Sequence, residues 1–97
     1  LGDKVSAEEA ERLGMIYKVF SADDFEAQSM ALAQKLAKMP TKGLGLTKRA
    51  LNSSFENTLE AQLGIEDVLQ TEASNSYDYK EGVAAFLEKR KPEFRGE

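Results

Sequence analysis

The 97-residue sequence contains no cysteine and no histidine, and each absence excludes whole classes of chemistry. Without cysteine there can be no disulfide scaffold, no thiolate zinc site and no cysteine nucleophile. Without histidine the serine–histidine triads, the histidine metal sites and the commonest general base are also excluded. Any chemistry must therefore use Asp, Glu, Lys, Arg, Tyr, Ser or Thr.

Long apolar runs and excess positive charge are lacking as well. The longest uninterrupted apolar run is Val83–Leu87, far short of the roughly 20 residues that a membrane span needs. Seventeen acidic residues against thirteen basic ones give a net charge of −4, which argues against general nucleic-acid binding. Neither a membrane nor a nucleic acid is therefore predicted as a partner. The absence of cysteine and of a basic-then-apolar leader favours a cytoplasmic setting.

The composition is that of a globular chain, with 41% apolar and 31% charged residues. Its length predicts one small domain. The sequence opens at Leu1 rather than Met, which suggests a piece of a longer protein. A chain of this size without disulfide or metal often depends on a partner surface for stability.

Apolar periodicity predicts an almost wholly helical fold of four or five helices. Ser6 and Glu9 form a capping box that opens the first helix, Ala7 to Leu13, and Gly14 ends it. Asp78 and Glu81 are interpreted as a second such box. Further helices are predicted from Ser21–Asp24 to about Met39, from Thr41 to about Ser53, from Thr58 to Ser74, and from Ser76 or Asp78 to about Arg90.

Two segments do not fit the helical pattern. Residues 15–20 are rich in strand formers, yet no second strand exists to pair with them. They are predicted to be extended and unpaired. The tail, residues 92–97, is predicted to be loose.

The fourth predicted helix has an unusually wide apolar arc. At 100° per residue, Leu59, Leu63, Ile65, Val68 and Leu69 spread over more than half of its circumference. One docked face needs an arc of only about 100° or somewhat more. Two interpretations remain open, a central helix of the domain and a helix at a subunit interface.

No catalytic cluster is predicted, because the acidic residues lie at helix starts or on polar faces. Glu66 has apolar neighbours and is expected to pair with one of Arg12, Lys48, Arg49 or Arg90. The run Gly43–Lys48 lacks the glycine spacing and preceding strand of a phosphate loop. Its glycines are better explained as sites of close helix packing.

The basic cluster Lys89–Lys91 with Arg95 is the most suggestive feature for binding. Phe86 precedes Lys89 by three residues, which predicts a ring and an ammonium on one helix face. Such a pair could stack on a purine and meet its phosphate. The alternative is a solvated basic helix end.

The tail string carries a family resemblance. Residues 81–94, EGVAAFLEKRKPEF, resemble the closing segment of the crotonase superfamily, the enoyl-CoA hydratases and isomerases. Residues 1–16 and 47–52 resemble preceding segments of that family. Asn57–Leu63, with Ser76, Asp78 and Tyr79, is most similar to the 1,2-epoxyphenylacetyl-CoA isomerase branch of phenylacetate catabolism.

The resemblance implies that residues 1–97 are the C-terminal helical domain of such an enzyme. The family's catalytic residues lie in an N-terminal spiral domain, so none is assigned here and the fragment alone is predicted inactive. The resemblance also implies trimer contacts, coverage of an acyl-CoA site, and CoA-nucleotide contacts by Phe86 and Lys89. Coenzyme A would be part of the substrate rather than a tightly bound cofactor, and isomerisation is favoured over hydration. The alternative is a free-standing helical interaction module without catalytic activity.

Overall fold

The computed structural model describes residues 2–97, and the regular secondary structure among them consists of α-helices. No strand occurs among these residues, which confirms the predicted all-α fold. The five helices are α1 (Ala7–Arg12), α2 (Phe25–Ala37), α3 (Thr41–Ser54), α4 (Leu59–Ser74) and α5 (Tyr77–Leu87).

The chain divides into two compact units, residues 2–33 and 34–97, with the boundary inside α2. In the first unit, the Ser6 hydroxyl accepts a hydrogen bond from the Glu9 N–H at the start of α1. The Glu9 carboxylate binds Arg12 instead of returning to Ser6, so only half of the predicted capping box forms. Gly14 adopts φ +74° and ends the helix as predicted.

The segment after Gly14 pairs with no strand, as expected, but it is not a regular extended run. Bends occupy Met15–Tyr17. The Glu11 carboxylate then accepts the Val19 N–H at 2.7 Å and pairs with Lys18 at 3.5 Å. One acidic side chain of α1 therefore fixes the turn that follows it.

In the second unit, α4 packs against α3 and touches α5. The buried apolar residues of residues 2–97 are few, namely Leu46, Leu69 and Ala85. Gln62 lies buried between α3 and α4, where its amide donates to the Ala50 carbonyl and accepts from Asn57. This small core leaves large apolar side chains exposed, including Leu59 and Val68 of α4, which are 77% and 65% exposed.

The start of α5 agrees with one of the two predicted positions, whereas the predicted capping box and the C-terminal end do not. Ser76 is the N-cap, because its hydroxyl accepts the Tyr79 N–H, so the Asp78–Glu81 capping box is wrong. The helix ends at Leu87 rather than Arg90. Lys89 has φ +56°, and the N–H groups of Lys89 and Arg90 return to the carbonyls of Phe86 and Ala85. This hydrogen-bond pair is the Schellman ending usually built on glycine.

The tail is ordered by hydrogen bonds, so the prediction that it is loose is wrong. Residues 90–97, here called the tail strap, run back along α5. The Glu93, Arg95 and Gly96 N–H groups donate to carboxylates of α5, and the Glu97 carbonyl accepts from the Asp78 N–H. No helix in the described part of the chain has the length and apolar character required to cross a bilayer.

Candidate functional site

An apolar groove with a cavity volume of about 440 Å³ lies in the second unit, where α3, α4, α5 and the tail strap meet. We call it the Phe86 groove. Few polar groups face it, so it suits an apolar or aromatic group better than a charged one. Its lining residues are Pro40, Gly43, Ala73, Ser76, Asp78, Tyr79, Gly82, Val83, Phe86, Leu87 and Phe94.

The two residues predicted to bind a nucleotide do not share a face of a regular helix. Phe86 lies in the last turn of α5, lines the groove and is 82% exposed. Lys89 lies beyond the helix end with a left-handed backbone, so the three-residue spacing no longer determines its direction. The geometric part of that prediction is wrong, while both side chains remain exposed to solvent.

Two cations of the basic cluster have partners within the described chain, and two do not. Arg90 binds the Glu81 carboxylate through two nitrogens at 2.6 and 2.9 Å and also meets Glu88. The Arg95 guanidinium lies over the Tyr77 ring, 4.2 Å from its centroid. Within residues 2–97, Lys89 and Lys91 have no ion-pair partner. These two ammonium groups are therefore the ones available to an external anion.

Asp78 is the most buried charged residue described, with 3% of its surface exposed. Its two carboxylate oxygens accept the N–H groups of Arg95 and Gly96 at 2.6 and 2.9 Å. A buried carboxylate is stable only when such donors replace its lost water. Both partners belong to the tail strap, so Asp78 determines where the strap ends.

Glu81 fixes the other part of the strap. Its carboxylate receives the Arg90 guanidinium and the Glu93 N–H at 2.8 Å, and its side chain is only 11% exposed. The Arg90 hydrogen bond, helped by the Glu93 N–H, lowers the pKa of Glu81 to about 2. Sequence reasoning missed this role, because the residues that bind Asp78 and Glu81 lie 9 to 18 positions later.

The remaining acidic residues form no catalytic cluster. Glu66 accepts a hydrogen bond from Gln62 at 2.9 Å, and Arg49 pairs instead with Glu72 at 3.6 Å. The predicted pairing of Glu66 with a basic residue is therefore wrong within the described chain. Residues 2–97 contain no group of three or more potential metal ligands.

The glycines of α3 do not serve close packing inside this chain. A Cβ built at Gly43 or Gly45 would meet no atom within 4 Å, which contradicts the predicted packing role. Gly43 also lines a second groove between α3 and α4, with a volume of about 600 Å³. This second groove is more polar, since Gln62, Glu66 and Asp67 contribute to its wall.

Comparison with known proteins identifies the family. The family model for enoyl-CoA hydratase/isomerase matches residues 1–97, which is the entire chain. The chain belongs to the enoyl-CoA hydratase/isomerase family. This result confirms the superfamily that the tail string predicted.

Individual relatives of this family match the chain along nearly its full length. It is 48% identical over 96 residues to the 1,2-epoxyphenylacetyl-CoA isomerase of Escherichia coli (strain K12), covering 99% of the chain and 37% of the relative. It is 36% identical over 95 residues to the 2,3-dehydroadipyl-CoA hydratase of the same organism, covering 98% and 37%. The chain thus spans about 37% of the length of these curated relatives.

Solved structures share the helical arrangement. The crystal structure of an enoyl-CoA hydratase from Mycobacterium marinum superposes with a TM-score of 0.84 at 31% identity. The match covers 99% of this chain and 38% of that structure. The fold of residues 2–97 is therefore a fold found within enoyl-CoA hydratases.

Proposed function

We propose that residues 1–97 form the C-terminal domain of an enoyl-CoA hydratase/isomerase, where they support assembly and cover the acyl-CoA site. The family match over the whole chain carries this proposal. The exposed Phe86 groove supports it, because an apolar groove open at one side suits a covering role. The free-standing module has no specific observation in its favour.

Isomerisation in phenylacetate or related acyl-CoA catabolism is the proposed activity of the parent enzyme. Its support is the 48% identity to a 1,2-epoxyphenylacetyl-CoA isomerase, compared with 44% to a probable enoyl-CoA hydratase of Rhodobacter capsulatus and 36% to a 2,3-dehydroadipyl-CoA hydratase. The acyl-CoA is substrate, so coenzyme A enters as part of the molecule that is transformed.

The proposal assigns no catalytic residue to this chain. General acid or base catalysis needs a carboxylate whose environment adjusts its pKa toward the working pH. Glu81 has the opposite shift and is committed to Arg90, and Asp78 is committed to two backbone N–H groups. Residues 1–97 alone are therefore expected to have no hydratase or isomerase activity.

Phe86 and Lys89 are proposed to contact the CoA nucleotide. Phe86 offers an exposed ring at the edge of the groove, and aromatic rings stack on purines. Lys89 offers an exposed ammonium without an ion-pair partner among residues 2–97, and an ammonium binds phosphate. Their separation by only three residues keeps both near the same end of α5.

The parent enzyme is proposed to be a homo-oligomer. A trimer is proposed because the family resemblance implies trimer contacts. The support is the exposed apolar surface of α4, including Leu59, Leu63 and Val68. Large exposed apolar area on a helix often marks an interface.

A chimera tests the proposed function. The matching segment of the Escherichia coli 1,2-epoxyphenylacetyl-CoA isomerase is replaced by residues 1–97, and turnover of epoxyphenylacetyl-CoA and of an enoyl-CoA is measured. We expect isomerase activity in the chimera and none in the isolated chain or in the isomerase lacking this segment. A folded chimera, judged by circular dichroism and sedimentation, that turns over neither substrate would overturn the proposal.

A further inference from the structure

The tail strap forms part of the wall of the Phe86 groove. Phe94 lies midway along the strap and lines the groove together with Phe86. A Cβ added to Gly82 would lie 3.6 Å from Phe94 Cε1, so the Phe94 ring rests against α5 at the residue that has no side chain. The groove is therefore partly built by residues outside the helices.

Two carboxylates of α5 hold the strap on either side of Phe94. Glu81 binds Arg90 and the Glu93 N–H before it, and Asp78 binds the Arg95 and Gly96 N–H groups after it. The backbone on both sides of Phe94 is thus fixed to one helix. Short charge-assisted hydrogen bonds of this kind restrict position more closely than apolar contact does.

The far end of the strap has little freedom to shift. Gly96 has φ +78°, and a Cβ there would collide with Thr41 Oγ1 at the start of α3. The strap therefore needs glycine at this position to lie between α5 and α3. Because Pro40 and Gly43 also line the groove, the strap closes the groove toward α3.

We propose that Asp78 and Glu81 are positioning residues that hold the tail strap so that Phe94 completes the Phe86 groove for the adenine ring in the CoA part of an acyl-CoA. This inference rests on the proposed function, since it names the residues that shape the same site. Phe94 supplies a second aromatic wall beside Phe86. Asp78 and Glu81 act through the strap and do not touch the substrate.

The test uses the chimera described above with four changes: Asp78→Ala, Asp78→Asn, Phe94→Ala and the double variant Asp78→Ala/Phe94→Ala. Phe94→Ala and Asp78→Ala should each raise KM for the acyl-CoA about tenfold with kcat nearly unchanged, because the lost contact exists in ground and transition states alike. The double variant should raise KM no further than either single change, since both remove the same wall.

The conservative variant distinguishes positioning from general stability. In Asp78→Asn the amide oxygen can still accept one of the two strap N–H groups, but the amide NH2 faces the other N–H as a second donor. One of the two hydrogen bonds is therefore lost, and KM should lie between those of wild type and Asp78→Ala. Hydrogen exchange at the Arg95 and Gly96 amides should accelerate in the same order. Glu60→Gln, which alters an exposed acid in the first turn of α4, is the control and should change neither KM nor exchange.

Each outcome decides one proposal. An unmodified chimera that folds but has no activity overturns the proposed function, and this inference with it. An active chimera in which Phe94→Ala leaves KM unchanged overturns this inference alone. So does a double variant whose effect is the product of the two single effects, because independent roles would then be established.

Discussion

Lys89, just beyond the end of α5, has no ion-pair partner within residues 2–97, and the proposed nucleotide contact gives it a measurable role. Lys89→Ala in the chimera should raise KM for the acyl-CoA about fivefold, the effect of losing a partly exposed charge-assisted contact. The catalytic rate constant kcat should barely change, because the contact is the same in the ground and transition states.

Lys91 provides the matched control for this change. It matches Lys89 in being exposed and in having no ion-pair partner within the described chain. Because the nucleotide contact is proposed for Lys89 alone, Lys91→Ala should leave KM close to that of the unmodified chimera. An acyl-pantetheine, which lacks the nucleotide, gives the second comparison. If Lys89→Ala weakens acyl-pantetheine as much as acyl-CoA, the lysine does not contact the nucleotide.

The folding stability of the chain should depend on pH through Glu81, and the direction of that dependence follows from the lowered pKa of its carboxyl group. The folded-state pKa is about 2 against an ordinary value of 4.5. The stabilisation is therefore fully present above about pH 4.5 and is lost as the pH falls toward 2. Urea unfolding should find Glu81→Gln less stable than wild type by the same amount at pH 7 and pH 5.

The difference between Glu81→Gln and wild type should shrink at pH 3, where wild-type Glu81 loses part of its advantage. Glu60→Gln provides the comparison, because Glu60 is exposed and lies outside the strap. A stability gap between Glu81→Gln and wild type that stays constant from pH 7 to pH 3 would show that the carboxylate charge is unimportant.

Lys89 also affects the stability of the C-terminal end of α5, independently of any ligand. A left-handed conformation costs a non-glycine residue roughly 1–2 kcal/mol. Glycine avoids that cost but loses about 0.5–1 kcal/mol more chain entropy on folding. Lys89→Gly should therefore raise the free energy of unfolding by about 0.5–1 kcal/mol, measured by urea titration.

The glycine and alanine variants of Lys89 separate the two roles. Both remove the ammonium, so both should raise KM for acyl-CoA equally in the chimera. Only Lys89→Gly relieves the backbone at φ +56°, so only it should be more stable than wild type. Equal stabilities for Lys89→Gly and Lys89→Ala would contradict the left-handed ending of α5.

At the scale of the whole molecule, exposed apolar side chains predict self-association of the isolated chain. Leu59, Leu63 and Val68 of α4 are more than half exposed, as are Met15 and Tyr17 of the first unit. Sedimentation at tens of micromolar should find oligomers. Leu63→Glu, on the surface of α4, should shift the population toward monomer, whereas a strict monomer in the unmodified chain would contradict the prediction.

Local sequence determined the helices. The Ser6 cap placed the start of α1, and apolar spacing placed α4, within a residue of the observed bounds. Gly14 ended α1 as expected, because glycine adopts positive φ without steric cost. These features depend on residues within about four positions of one another, so the sequence alone contains the relevant information.

The tertiary structure decided how α5 ends and where the tail lies. Lys89 adopts positive φ, although a lysine at this position gives no indication of a left-handed backbone. The charge-rich tail is typical of a loose segment, yet Asp78 and Glu81 bind its N–H groups across as many as 18 positions. Bonds between residues so far apart depend on the chain turning back after α5. The helices and the family thus follow from the sequence, whereas the tail-strap side of the Phe86 groove exists only because the folded tail brings Phe94 against Gly82.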